Sequence, residues 1–167
     1  MSILGGGTNS TIIRSMNGGT VIGGANSGGV DFSQVTFDAS GTDLLGTQVA
    51  AGDWTIGSNS ARVEGDGLRF DAPTGDLAFG NLNVSNNNGT GVYVDTKTLG
   101  TTFNLANTGG TVDTTNGAAL FLDPLSVNMT FASLTSDGSG DNGVWLDGVS
   151  GSFTVTGATT VTNAGLN

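Results

Sequence analysis

The 167-residue sequence predicts an all-β chain that coils into a parallel β-solenoid, and two observations lead to this prediction. Apolar and polar residues alternate over segments of about five residues, which is typical of half-buried strands. Glycines, 30 in number, lie with Asn, Asp, Ser and Thr between these segments, and no window shows the 3.6-residue period of a helix. Stacked short strands therefore explain the sequence better than a helical repeat does.

A first repeated signature has the order Gly or Ala, apolar, any residue, apolar, Asp. It occurs as GLRFD (67–71), GVYVD (91–95), ALFLD (119–123) and GVWLD (143–147). The aspartates of successive copies are separated by 24, 28 and 24 residues. Units of this length cannot bury their apolar faces alone, so each strand is expected to pair in parallel with its counterpart in the next unit.

A second signature follows each copy of the first and carries a phenylalanine. Phe79, Phe103 and Phe131 each lie 9 residues after the last apolar residue of the preceding signature, and Phe153 lies 7 residues after it. Equivalent residues of a parallel solenoid stack directly above one another. We therefore predict that these four rings form one aromatic column in the core.

The two parts of the chain differ in how well they fit the repeat. Residues 28–41 resemble a compressed copy, whereas residues 1–27 fit poorly. We expect an irregular N-terminal rung or cap over 1–27 and parallel β-helix repeats over 28–167.

The chain stops in mid-pattern at TNAGLN, so we expect an excerpt of a longer protein with Met1 added for expression. Neither a signal peptide nor an apolar run long enough to span a membrane is visible.

The stretch GVWLDGVSGSFTVTGATTVTNAG (143–165) resembles the repeats of right-handed parallel β-helix regions in very large bacterial surface proteins, the pectate-lyase-like and haemagglutinin-like adhesins. The resemblance covers residues 28–167 and is best over 67–167. With the repeat length of 22–28 residues, which gives about six rungs, it implies a single-stranded right-handed parallel β-helix. It also implies secretion to the bacterial cell surface, a rod shape and adhesion.

The alternation in the first signature divides its side chains between two faces. The inward set is Leu68, Phe70, Val92, Val94, Leu120, Leu122, Val144 and Leu146. The outward set contains Arg69, Tyr93, Phe121 and Trp145 in one column, with Asp71, Asp95, Asp123 and Asp147 in the next. An exposed aromatic strip usually has a partner. We expect either a glycan, with rings stacked on pyranose faces and aspartates accepting from hydroxyls, or a covering loop or neighbouring domain. The remaining alternative is that the strip has no role.

The stacked aspartates raise a second question, because carboxylates about 5 Å apart repel each other by roughly 1 kcal/mol per pair in water. Each aspartate could accept backbone N–H bonds at the turn that leaves its strand. Alternatively, the column could bind a cation such as Ca²⁺, which prefers carboxylate oxygens.

One turn resembles a calcium loop. DGSGDNG (137–143) places oxygens at Asp137, Ser139 and Asp141, although Asn142 stands where the EF-hand requires Gly and the final Glu is missing. A solvated turn between rungs is the alternative.

Composition excludes several functions. With a net charge of −10 and four basic residues, the chain cannot assemble a basic patch for nucleic acid or an anionic membrane. It contains no His and no Cys, which excludes nucleophile systems that use His or Cys. We expect a structural and adhesive segment rather than an enzyme. The alternatives are a polysaccharide lyase or hydrolase that uses Asp95, Asp123 or Asp147, and a filament subunit that associates end to end.

Overall fold

A computed structural model gives the fold of the protein and describes residues 2–4, 12–14, 30–33, 36–38, 49–56, 63–64, 66–71, 73, 75–96 and 103–165. All regular elements in these residues are strands. Their bounds are β1 (Ser2–Leu4), β2 (Ile12–Arg14), β3 (Val30–Ser33), β4 (Thr36–Asp38), β5 (Val49–Ile56), β6 (Val63–Glu64), β7 (Leu68–Asp71), β8 (Gly75–Asn87), β9 (Val92–Asp95), β10 (Phe103–Gly109), β11 (Thr111–Thr115), β12 (Leu120–Asp123), β13 (Ser126–Phe131), β14 (Ser133–Asp137), β15 (Val144–Leu146), β16 (Ser150–Val155) and β17 (Thr159–Thr162).

From β7 onward the strands stack into three ribbons in which every pairing is parallel. The first ribbon contains β7, β9, β12 and β15, which are the four copies of the first signature. The second ribbon contains the first half of β8 with β10, β13 and β16. The third contains the second half of β8 with β11, β14 and β17. The chain is therefore a parallel β-solenoid, as the sequence predicts.

The solenoid has about four turns rather than the six expected from chain length and period. The reason lies in the first ribbon, whose four strands begin only at Leu68. Before that point the strands pair in the same parallel sense, β1 with β3, β3 with β5 and β2 with β4. In the described residues, no helix is long and apolar enough to cross a membrane.

The apolar core runs along the inside of all three ribbons. Leu68, Phe70, Val92, Val94, Leu120 and Leu122 are buried, so the predicted inward face of the first signature is confirmed. Val144 is partly buried, and Leu146 is 44% exposed. These two residues differ from their counterparts because β15 is the last strand of its ribbon and is covered on one side only.

The predicted phenylalanine column is wrong, although Phe79, Phe103 and Phe131 are buried as predicted. In the observed register Phe79 pairs with Asn107, Asn107 with Met129, and Met129 with Phe153. The column therefore contains two of the four rings, at its ends. Phe103 instead packs near Phe70, with a ring-centroid distance of 5.8 Å.

The error has a physical cause in the turn between the first and second ribbons. Seven residues separate Asp95 from the start of β10, whereas two residues separate Asp123 from the start of β13. A fixed distance from the first signature therefore does not correspond to a fixed position on the next ribbon. Register there follows the strand pairing and not the spacing along the chain.

The turn after the third ribbon repeats one backbone conformation in four successive rungs, after β8, β11, β14 and β17. Asn88, Asn116 and Asn163 have positive φ angles of 55°, 55° and 52°, and Gly138, with φ of 71°, takes the equivalent place between Asn116 and Asn163. Asn and Gly tolerate this left-handed region better than other residues. The Asn116 side-chain amide also donates to Asn88 Oδ1 at 3.1 Å, which links successive turns.

Candidate functional site

The predicted outward aromatic column exists. Strand register aligns Tyr93 with Phe121 and Phe121 with Trp145 across β9, β12 and β15. The ring centroids of Tyr93 and Phe121 are 4.7 Å apart with planes 9° from parallel, and those of Phe121 and Trp145 are 6.2 Å apart at 8°. Tyr93 and Phe121 are half-buried and Trp145 is 39% exposed. We call Tyr93, Phe121 and Trp145 the aromatic column.

The geometry corrects one expectation about how these rings meet a ligand. Parallel rings with centroids 4.7 Å apart overlap face to face, since two rings side by side in one plane would need more room. Strands of one ribbon lie about 4.8 Å apart, which allows stacking but not a flat row. The faces of Tyr93 and Phe121 are therefore turned toward their neighbours in the column and do not form a platform for pyranose rings.

The two ends of the column differ. At one end, the guanidinium carbon of Arg69 lies 4.0 Å from the Tyr93 ring centroid, a cation–π contact. Arg69 also forms a 2.6 Å ion pair with Asp66, whose other oxygen accepts from the backbone N–H of Thr90 at 2.8 Å. At the other end, β15 ends its ribbon among the described strands. The indole face of Trp145 that points away from Phe121 is therefore the open face of the column.

A groove of about 280 Å³ runs alongside the aromatic column near this end. Phe121 and Trp145 form its apolar wall, and Ser139, Asp141 and Asn142 from the turn after β14 form much of its polar wall. The remaining lining residues are Thr90, Gly117, Ala118 and Gly140. An apolar surface with a few convergent polar groups is the usual composition of a small-ligand site.

Sequence reasoning singled out four lining residues, Phe121 and Trp145 as ligand contacts and Ser139 and Asp141 as metal candidates, and it overlooked a ligand role for Asn142 and Thr90. Both overlooked residues immediately precede a copy of the first signature, and Ala118 precedes the copy between them. Residues at equivalent repeat positions lie one above another in a parallel solenoid. The residues that immediately precede the copies of the first signature therefore stack in a column beside the aromatic column. That repeat position was the sequence signal that could have indicated Thr90 and Asn142.

The aspartates of the first signature also lie in register, Asp71 with Asp95 and Asp95 with Asp123. The Tyr93 hydroxyl donates to Asp95 Oδ2 at 3.3 Å, so the aromatic column and the aspartate column are in contact. Asp147 is exposed, and its backbone N–H donates to the Leu122 carbonyl at 3.0 Å. The Asx-turn role and the cation both stay predictions for these side chains.

The candidate calcium loop uses its oxygens within the protein. Asp137 Oδ1 accepts from Thr162 Oγ1 and from Asn163 Nδ2, each at 2.8 Å. These hydrogen bonds from the next rung hold the pKa of the Asp137 carboxyl below its usual range. The Ser139 hydroxyl donates to the Asp141 carbonyl at 3.2 Å. Over the part of the chain that the structure describes, no three His, Cys, Asp or Glu side chains gather as a metal site.

Comparison with family models, with curated proteins and with solved structures gives no match for this chain. The groove, the aromatic column and the fold are therefore the observations on which a function can be argued.

Proposed function

We propose that this chain is a structural and adhesive β-solenoid segment of a large secreted or cell-surface bacterial protein, and that it contacts glycans. The solenoid acts as a stiff spacer, since each rung pairs along three ribbons with the rung before it. The glycan contact lies in the groove beside Phe121 and Trp145.

The observation that carries the proposal is the groove formed by Phe121 and Trp145 on one side and Ser139, Asp141 and Asn142 on the other. A sugar ring has an apolar C–H face and a rim of hydroxyls. The aromatic wall of the groove suits the former, because it is apolar. Carboxylate and amide groups suit the hydroxyls, since they accept and donate hydrogen bonds.

A glycan-array screen of the native protein beside Trp145→Ala, with and without Ca²⁺, tests the proposal. Val161→Ala is a matched control, because it also truncates an apolar side chain of similar exposure, 44%, but on the third ribbon and outside the groove. We expect binding by the native protein and by Val161→Ala that is lost in Trp145→Ala. Absence of binding, or equal binding by all three proteins, would contradict the proposal. A requirement for Ca²⁺ would support the cation in the aspartate column.

A second candidate function, a self-assembling filament subunit, is favoured by the end of the solenoid. Phe153, Val155 and Val161 line an apolar cleft of about 420 Å³ there, beside β15, β16 and β17, whose outer edges pair with no other described strand. Such edges can pair with a second copy. Concentration-dependent rods that disappear on Leu146→Lys would support this candidate, whereas a monomer at all concentrations would oppose it.

The alternative of a polysaccharide-active enzyme depends on the aspartates of the first signature. Release of reducing sugar from a polysaccharide, abolished by Asp123→Asn and retained in Asp113→Asn, is the result that would favour it.

A further inference from the structure

The aromatic column already binds a cation at one of its ends. The guanidinium of Arg69 lies over the outer face of Tyr93, at 4.0 Å from the ring centroid. The opposite end presents the outer face of Trp145, and indole attracts cations more strongly than the other aromatic side chains do. Within the described residues, no strand covers this second face.

The described charges around the open end are negative. Asp141 is exposed and lines the groove, and Asp147 is exposed on the same outward face as Trp145, two residues along the chain. The charge of Arg69 is matched by Asp66 at the far end of the column. The net charge of the whole chain is −10. A ligand at the open end therefore meets an aromatic face and carboxylates, which together favour a positive group.

We propose that the open end of the aromatic column binds an amine-bearing sugar, such as the glucosamine unit of a polysaccharide, and receives its ammonium group at the indole of Trp145 and the carboxylate of Asp141. This inference rests on the proposed function and deepens it by naming the class of sugar. Uronic and sialic acids are disfavoured by the same carboxylates, because like charges within a few ångströms repel.

Two oligosaccharides of equal length separate charge from shape. One is a glucosamine hexamer and the other an N-acetylglucosamine hexamer, which has the same backbone without the charged amine. Binding is measured calorimetrically at mildly acidic pH, where the sugar amine is protonated and ordinary aspartates are still largely ionised. The proteins compared are the native chain, Trp145→Ala, Asp141→Asn and Asp113→Asn. Asp113 is partly exposed on β11 and does not line the groove, so its replacement removes the same charge elsewhere.

The expected result is tighter binding of the glucosamine hexamer, lost in Trp145→Ala and weakened about fivefold in Asp141→Asn but not in Asp113→Asn. The preference for the glucosamine hexamer should shrink as the salt concentration rises, since the Debye screening length falls to about 3 Å at 1 M salt.

Equal binding of both hexamers, lost in Trp145→Ala, would overturn the amine preference and leave the proposed function standing. Equal weakening by both Asn variants would also overturn it, because general charge attraction would suffice. Binding of neither hexamer would overturn the amine inference. The proposed function would fall with it only if the glycan array also showed no ligand that depends on Trp145.

Discussion

Asn107 is the residue that most clearly departs from the pattern of the repeat. It is buried and lies between Phe79 and Met129 in a core column. Its side-chain amide donates to the carbonyls of Gly109 and Thr130 at 2.8 and 2.7 Å, and its oxygen accepts from the Thr130 backbone N–H at 3.0 Å. These bonds satisfy backbone groups where the second ribbon turns into the third, since β10 ends at Gly109 and β11 starts at Thr111.

Replacing Asn107 by Ala should lower the free energy of unfolding by about 3 kcal/mol, because buried backbone groups lose their partners. Urea unfolding of the variant beside Thr108→Ala measures this. Thr108 is the exposed next residue of the same strand, and its replacement should change stability by less than about 0.5 kcal/mol. Equal effects of the two substitutions would show that the Asn107 bonds contribute little.

Asp137 gives a prediction for pH. Its pKa is lowered by hydrogen bonds from Thr162 first and Asn163 second. Because its pKa is lower in the folded state, ionised Asp137 stabilises the fold. This stabilisation is complete above the unfolded-state pKa of about 4, and it is lost as pH falls through the lower folded-state pKa. Carboxyl NMR titration should find Asp137 below ordinary aspartates, and Thr162→Val should raise its pKa. An unchanged midpoint in the variant would contradict the assignment to Thr162.

At the scale of the element, the aromatic column ties strands of the first ribbon together. Phe121 stacks with Tyr93 at 4.7 Å and with Trp145 at 6.2 Å. Stacked pairs are worth about 0.5–1.5 kcal/mol beyond the area they bury.

A double-mutant cycle on Tyr93→Leu and Phe121→Leu should therefore give a coupling free energy of about 1 kcal/mol. The pair Tyr93 and Thr154 is a control, because β9 and β16 belong to different ribbons and do not pair. Chemical unfolding of the four proteins in each cycle measures the coupling. A value near zero for Tyr93 with Phe121 would mean that the rings lie together without stabilising the rungs.

The same element shows how far sequence reasoning extends. For the first signature, the sequence predicts the strands, their register and their buried face correctly, because each copy is short and ends at an equivalent aspartate. Its outward rings were predicted in position but not in orientation, since alternation assigns a face and says nothing about the plane of a ring. The phenylalanine column was wrong because the turn before it varies in length. The groove was predicted in part, through Phe121, Trp145, Ser139 and Asp141, but as two separate sites, because their proximity depends on how the turn after β14 lies against the stack.

At the scale of the whole molecule, a rung is stabilised by the rungs on both of its sides. Phe131 is fully buried on β13, whereas Phe153 is partly buried on β16, the last strand of the second ribbon. Phe131→Ala should therefore cost about 3–5 kcal/mol, and Phe153→Ala clearly less, since its site is covered on one side. Thermal and urea unfolding compare the two variants. Equal costs would argue that the end of the solenoid is as closed as its middle.

The central claim is that the aromatic column has one open face among the described residues, the indole of Trp145, and that the ligand binds there. Fluorescence tests it most directly in the variant Trp54→Phe, because the chain has two tryptophans and this change leaves Trp145 as the sole one. The variant is titrated with the glucosamine and N-acetylglucosamine hexamers. We predict a saturable change in Trp145 emission, with the same midpoint as binding measured calorimetrically. Calorimetric binding that leaves the emission of Trp145 unchanged would place the ligand elsewhere and contradict the account.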